Sequence, residues 1–218
     1  MGNEITGKAD AAQFRGKRKL LLIPYVMQLE AEEELEVLVE QYWSEAVAQI
    51  QKLEASLGST RYLFHEGVLG IDGTPESVIT RANPAGAVAL GKLLNAGATL
   101  VATEDHEILA ETLDLHRCLS VIQISQVVAQ RLTEWFEDCR QRRYAHIATR
   151  INATLNLGES AAIVLAPDHR VQFDSDIEVV YIAPPSLDRI NRWMRERSSR
   201  ESNPIEQTED SSSGQNPG

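Results

Sequence analysis

The stretch GAVALGKLLNAGATLVATEDHEILAETL, residues 86–113, decides how the rest of the chain is read. Ala87–Asn95 places apolar residues at helical spacing. Gly97 follows where a helix should stop, because glycine takes the left-handed conformation that ends a helix at little cost. Ala98–Thr103 then reads as a short buried strand, and the acidic tip Glu104-Asp105-His106-Glu107 opens a further helix through Leu115. A compact apolar strand between two helical patterns is the repeating unit of a layered α/β domain. In open sheets of that kind, polar residues just past the carboxyl ends of the strands sit where ligands bind.

Upstream, Leu20–Met27 is apolar on both faces, as an interior strand of a largely parallel sheet should be. Pro24 removes a ladder donor there and points to an edge position or a bulge. From Glu30 to Leu57, apolar residues recur at steps of three and four, and Glu30, Glu32, Glu33 and Glu34 complement the positive end of a helix. Arg61–His65 is a second strand. Residues 70–86, rich in glycine and proline, form a loop or a helix fragment. Downstream, Cys118–Ile124 is too short for periodicity to separate strand from helix.

Gln126–Leu157 is one long helical pattern with Val128, Leu132, Trp135 and Cys139 on a stripe that resumes as Tyr144, Ile147, Ile151 and Leu155. Unbroken, it outruns a small domain, so it either bends near residues 140–143 or projects toward a partner. Two strands, Ala161–Ala166 and Ile177–Ala183, and a helix Leu187–Arg197 capped by Ser186 complete the chain. The expected fold is α/β: a single domain over residues 19–197, with a mixed, largely parallel central sheet flanked by helices, one of them long. Residues 1–18, which end in the basic run Arg15–Lys19, and residues 198–218 have the polar composition of disordered tails.

The 218-residue chain carries a net charge of −11. That balance excludes a general affinity for nucleic acid or anionic lipid, which requires a basic footprint. Cys118 and Cys139 lack paired spacing and read as buried free thiols of a reducing compartment. No run of about 18 apolar residues is present, and Leu20–Val26 is too short for a signal peptide. Gly2 and Thr6 fit the loose myristoylation pattern, with a disordered start as the plainer reading. The expected location is cytoplasmic, with no membrane and no nucleic-acid partner. Without a Walker loop, GxGxxG, nucleophile elbow, HExxH or CxxC pair, the corresponding enzyme classes have no support.

Three strand ends finish in titratable residues: His65-Glu66, Glu104-Asp105-His106 and Asp168-His169. If the strands run parallel, these converge on one rim. Glu66, Asp105 and His169 are then the candidate catalytic groups, and His65, His106 and His169 the candidate ligands of a divalent metal. The opposing reading is that Glu104 or Asp105 simply caps the helix that follows. Arg140, Arg142 and Arg143 could grip a carboxylate or phosphate, or form a solvated helix face.

Taken together, three stretches resemble the TraB / TIKI / erythromycin-esterase-like superfamily. GATLVATEDHEILAETL is similar to its glycine-led strand that ends in an acidic residue before a helix with a Thr-Leu pair. RRYAHIATRINATLNLGESAAIVLAPDH is similar to its arginine-led helix, glycine, strand and histidine, with Arg143 and His169 as the matches. The helix Glu32–Leu57 followed by RYLFHEG is similar to its helix and strand ending in glutamate, with Glu66 as the match. The resemblance covers about residues 20–183 and implies a hydrolase ancestry with Arg143 in a binding role. Two departures stand out. The first strand leads into Ile23-Pro24-Tyr25-Val26-Met27-Gln28, where the family has a Gly-Glu-x-His or Gly-x-x-His motif. The second family motif, GxGH, becomes Ala166-Pro167-Asp168-His169.

Two functions follow as expectations. One is a non-catalytic or degenerate relative acting in binding or assembly, with an unknown small molecule or protein as partner and homodimer formation through the long helix. The other is a divalent-metal-dependent hydrolase with its site at the strand carboxyl ends, where a carboxylate activates water and the metal or a histidine stabilises developing charge.

Overall fold

Alternate residues of the central strands face opposite layers, and this period of two builds the two cores of the domain. In the computed structural model, which describes residues 16–26 and 32–201, Leu21, Ile23, Leu63, Ala162 and Val164 point to one face of the sheet. Leu20, Leu22, Phe64, Ala161, Ile163 and Leu165 point to the other. The elements run β1 (Arg18–Pro24), α1 (Glu33–Leu57), β2 (Thr60–His65), α2 (Pro75–Ala82), α3 (Ala87–Asn95), β3 (Thr99–Ala102), α4 (His106–Leu119), α5 (Gln126–Thr154), β4 (Ser160–Leu165), β5 (Ile177–Tyr181) and α6 (Pro185–Glu201).

The strand order is β3-β2-β4-β1-β5, and every pairing is parallel. The expected α/β domain with a central sheet between helices is therefore present, with no antiparallel pair among the described residues. From β1 the chain steps to β2 and on to β3 with α1, α2 and α3 on one face. It returns through α4 and α5 to insert β4 between β2 and β1, and the C-terminal half of α5 covers the opposite face with Tyr144, Ile147 and Ile151. Crossovers stepping in opposite directions put their helices on opposite faces when they share one hand.

The amino edge of the sheet corrects the expected basic tail. Arg18 and Lys19 belong to β1 and are buried. The Lys19 ammonium donates to the carbonyls of Leu57 (2.7 Å) and Gly158 (2.9 Å), the first of which ends α1. Helix carboxyl ends leave carbonyls without intrahelical partners, so a cation there satisfies them and meets the negative end of the dipole. The Arg18 guanidinium forks onto Asp176 at 2.8 and 2.6 Å and reaches Asn152 at 3.0 Å, which fastens the β5 entry and the end of α5 to β1.

Other expectations change for local reasons. Pro24 lies in an interior strand, between β4 and β5, but it is the last residue of β1, where a missing donor breaks no continuing ladder. Cys118–Ile124 forms no strand: α4 continues to Leu119 and a turn follows. Cys139 is buried as expected, whereas Cys118 is exposed. Ser186 does not cap the last helix. Its N–H and hydroxyl both donate to the Glu45 carboxylate of α1, at 3.2 and 2.7 Å, so the terminal helix is capped from a neighbouring element. That helix continues to Glu201, past the boundary expected at residue 197. Glu30, Gly2, Thr6 and most of both expected tails lie outside the described residues.

Gly86 opens α3 in an ordinary helical conformation, so its requirement is for space. A Cβ there would lie 2.6 Å from the Asn83 amide nitrogen and 2.8 Å from the Trp43 ring. Gly86→Ala is expected to cost about 1–3 kcal/mol, the usual range for overpacking. The reading is a lower urea midpoint at unchanged slope; wild-type stability in this variant would show that the Asn83 turn repacks freely.

Candidate functional site

The chain leaves β2 toward β3 and leaves β4 toward β5, in opposite directions along the sheet. Between the carboxyl ends of these adjacent strands a crevice opens, the usual ligand position in an open parallel sheet. Glu66 stands at the β2 side. Its Oε2 accepts from the N–H of Ala166, at the β4 side, at 2.5 Å.

Above the crevice, Arg143 reaches in from α5 and ties two carboxylates together. Its Nε donates to Glu104 Oε2 at 2.9 Å, and its Nη2 donates to Glu104 Oε1 and lies 2.9 Å from Glu66 Oε1. Glu104 Oε1 also accepts the N–H of Gly67 at 2.9 Å. The Glu104 side chain is wholly buried, and those of Glu66 and Arg143 are each only 13% exposed. Burial alone would pull the Arg143 guanidinium down, but its bonds and charges with Glu104, and then Glu66, outweigh that and hold it above its ordinary value. Removing one member of such a buried set typically costs about 3–5 kcal/mol, because the others are left unpaired.

Below the crevice, His65 is fully buried and fully bonded. Its Nδ1 contacts the Glu66 carbonyl, an oxygen that can only accept, so Nδ1 carries the proton. Its Nε2 then accepts from the Asn83 amide at 3.1 Å, while Asn83 Oδ1 accepts from Gly86 N–H at 2.9 Å. The Tyr25 ring meets the imidazole edge-on at 5.0 Å. Burial pushes the His65 pKa down to about 4, against the opposing pull of the Glu66 carbonyl and the Glu104 charge.

The three expected strand ends do share one edge, but not as the expected set of side chains. Glu66 is central. His169 lies at the same edge, half-buried, with burial lowering its pKa against the charges of Glu66 and Asp168. Its Nδ1 accepts the Val171 N–H at 3.3 Å, so in the neutral ring the proton sits on Nε2 and the lone pair is already engaged. Asp105 is not part of the crevice: its Oδ1 accepts the N–H groups of Glu107 and Ile108, each at 3.0 Å, as the N-cap of α4. Glu104, weighed from sequence only as a rival cap, takes the place expected for Asp105. The signal that separates them is cap preference, since Asp is among the favoured N-caps and Glu is not.

The expected metal set does not assemble. Both His65 nitrogens are engaged, His106 is exposed beside a different depression bounded by Asp72 and Arg81, and His169 has one nitrogen engaged. Among the described residues no three His, Cys, Asp or Glu side chains come together as a metal site. The donor set does not fit a divalent metal. Nor do the arginines form an open anion grip: Arg140 pairs with Glu137 and Asp168, Arg142 with Glu111 and Asp138, and Arg143 with Glu66 and Glu104.

Over this floor stands a cleft of about 560 Å³, walled by Val26, Leu35, Leu109, Leu113, Ile190 and Met194, with Glu66 and Arg143 at its base. The walls come from α1, α4 and α6, which no short sequence window connects. A volume of this order suits a small organic ligand. Compared with protein-family models, with curated proteins and with solved structures, the chain gives no match.

His65 makes stability depend on pH in a defined direction. With a folded pKa near 4 and an ordinary value of 6.5, the unfolded chain binds the extra proton between these limits. The contribution is therefore complete above pH 6.5 and is lost as pH falls toward 4, by about 3 kcal/mol in all. Urea unfolding from pH 7 to 4.5 should show this slope in the wild type and a flatter one in His65→Gln. Equal slopes would mean that the imidazole is already charged in the folded state.

Proposed function

We propose that this protein binds a small molecule in the carboxyl-edge cleft and does not hydrolyse it, as a non-catalytic relative of the TraB / TIKI / erythromycin-esterase-like hydrolases. One observation carries the reading: the imidazoles that hydrolysis would need as bases are already in use. The unprotonated nitrogens of His65 and His169 accept hydrogen bonds, and Arg143 ties Glu66 to Glu104. An imidazole acts as a general base only through a free lone pair within reach of the water it activates. The Pro24-Tyr25 sequence at the end of β1, in place of the family's histidine motif, agrees with this loss.

The experiment is titration with Nile red, a neutral apolar dye whose emission rises in a dry site. Wild-type protein should bind it, and Leu113→Trp, at a half-exposed position in the cleft wall, should weaken binding about tenfold or more. Absence of binding, or binding unaffected by the substitution, overturns the cleft as the site. Turnover of nitrophenyl esters that disappears in Glu66→Gln would overturn the non-catalytic part.

A role in assembly has its own support at the other end of the long helix. The α4–α5 hairpin leaves Val121, Ile122, Ile124 and Val127 exposed, with Ile122 and Ile124 uncovered by any of the described residues. In the expected stripe, Cys139 is buried, Leu132 half-buried, and Val128 and Trp135 exposed, with the Trp135 N–H on Glu111 at 2.6 Å. An apolar tip of this kind marks an association surface, and on this reading the chain forms a homodimer. Sedimentation should give a dimer for the wild type and a folded monomer for Ile122→Glu/Ile124→Glu; a monomeric wild type at all concentrations ends the idea.

A further inference from the structure

The floor of the cleft has an uneven charge. Glu66 and Glu104 carry two negative charges and Arg143 a single positive one, with all three side chains at or below 13% exposure. Among the described residues, Glu66 and Arg143 are the charged side chains that line the cleft. His65 is held neutral by burial, and the Tyr25 hydroxyl donates to the Ala82 carbonyl at 2.7 Å. A buried site with one negative charge in excess is costly unless a cation answers it. The walls, by contrast, are almost wholly aliphatic.

Resting on the cleft as the binding site, we propose that its ligand is an amphipathic amine: a protonated nitrogen seated on Glu66 beside the Glu66–Arg143–Glu104 trio, with an apolar body against Leu109, Leu113, Ile190 and Met194. Glu66 offers this nitrogen lone pairs that its single contact with Ala166 and its single contact with Arg143 do not use, since an ionised carboxylate accepts about four hydrogen bonds. An anionic head group would meet Arg143 only after the guanidinium had already been neutralised by two carboxylates. Charge and shape thus select one class: positive at one end, apolar along the rest.

Three probes of one shape separate the possibilities: 4-phenylbutylamine, 4-phenylbutanol and 4-phenylbutyrate, each competing with Nile red on the full-length protein at neutral pH. The amine should displace the dye about tenfold more effectively than the alcohol, the margin that a charge-assisted hydrogen bond adds over a neutral one, and the butyrate should be weakest. In Glu66→Gln, which keeps an acceptor for the Ala166 N–H, the amine-to-alcohol ratio should fall toward one. The wild-type ranking is decisive without that variant. If the alcohol equals the amine, if the butyrate is strongest, or if none displaces a dye that Leu113→Trp excludes, the amine class is wrong while the cleft stands. If the dye itself never binds, the cleft reading fails first.

Discussion

Arg143 comes down from α5 onto a sheet edge where Glu66 leaves β2 and Glu104 leaves β3, and the three side chains lock three elements at once. The Ala166 N–H on Glu66 adds β4, and the Gly67 N–H on Glu104 closes the turn after β2. Neither carboxylate could be buried without the guanidinium, nor the guanidinium without them. The floor of the cleft, the path of the β2 and β3 exits and the seating of the long helix all depend on this one compensation.

The two edges of the sheet divide the charge between them. At the amino edge, Lys19 and Arg18 satisfy carbonyls and carboxylates where α1 ends and β5 begins. At the carboxyl edge, acidic residues gather where strands hand over to helix starts, as Asp105 does on α4. Parallel topology puts helix ends of one polarity on each edge, so the sign of the useful side chain follows from the direction of the strands. His65, at the carboxyl edge, is a neutral link, joining the Glu66 carbonyl to the Asn83 turn that starts α3.

Helix α5 is longer than the sheet it covers: 29 residues, or roughly 44 Å at 1.5 Å per residue. Its second half buries Tyr144, Ile147 and Ile151 against the sheet, and its first half pairs with α4. That overhang has two consequences. Its base lends α4 residues Leu109 and Leu113 to the wall of the cleft, and its tip carries isoleucines that none of the described residues covers.

The α/β class, the helix at residues 87–95, the glycine stops and the carboxyl-edge position of His65, Glu66 and His169 were all readable from sequence. Periodicity, glycine conformation and capping act over a few residues, so a local window contains their cause. The same window could not tell that Arg18 and Lys19 leave the tail for a buried strand, because their partners, Asp176 and Leu57, are far away in the chain. Cap preference could assign Asp105 to the helix start, but not the arginine 39 residues on that takes Glu104. Nor could it show that the three imidazoles stay apart, since each is held by a hydrogen bond or a helix start of its own. Local pattern fixed which residues stand at the edge; only the packing of α1, α4, α5 and α6 decided which of them meet, because burial of charge is settled by partners distant in sequence.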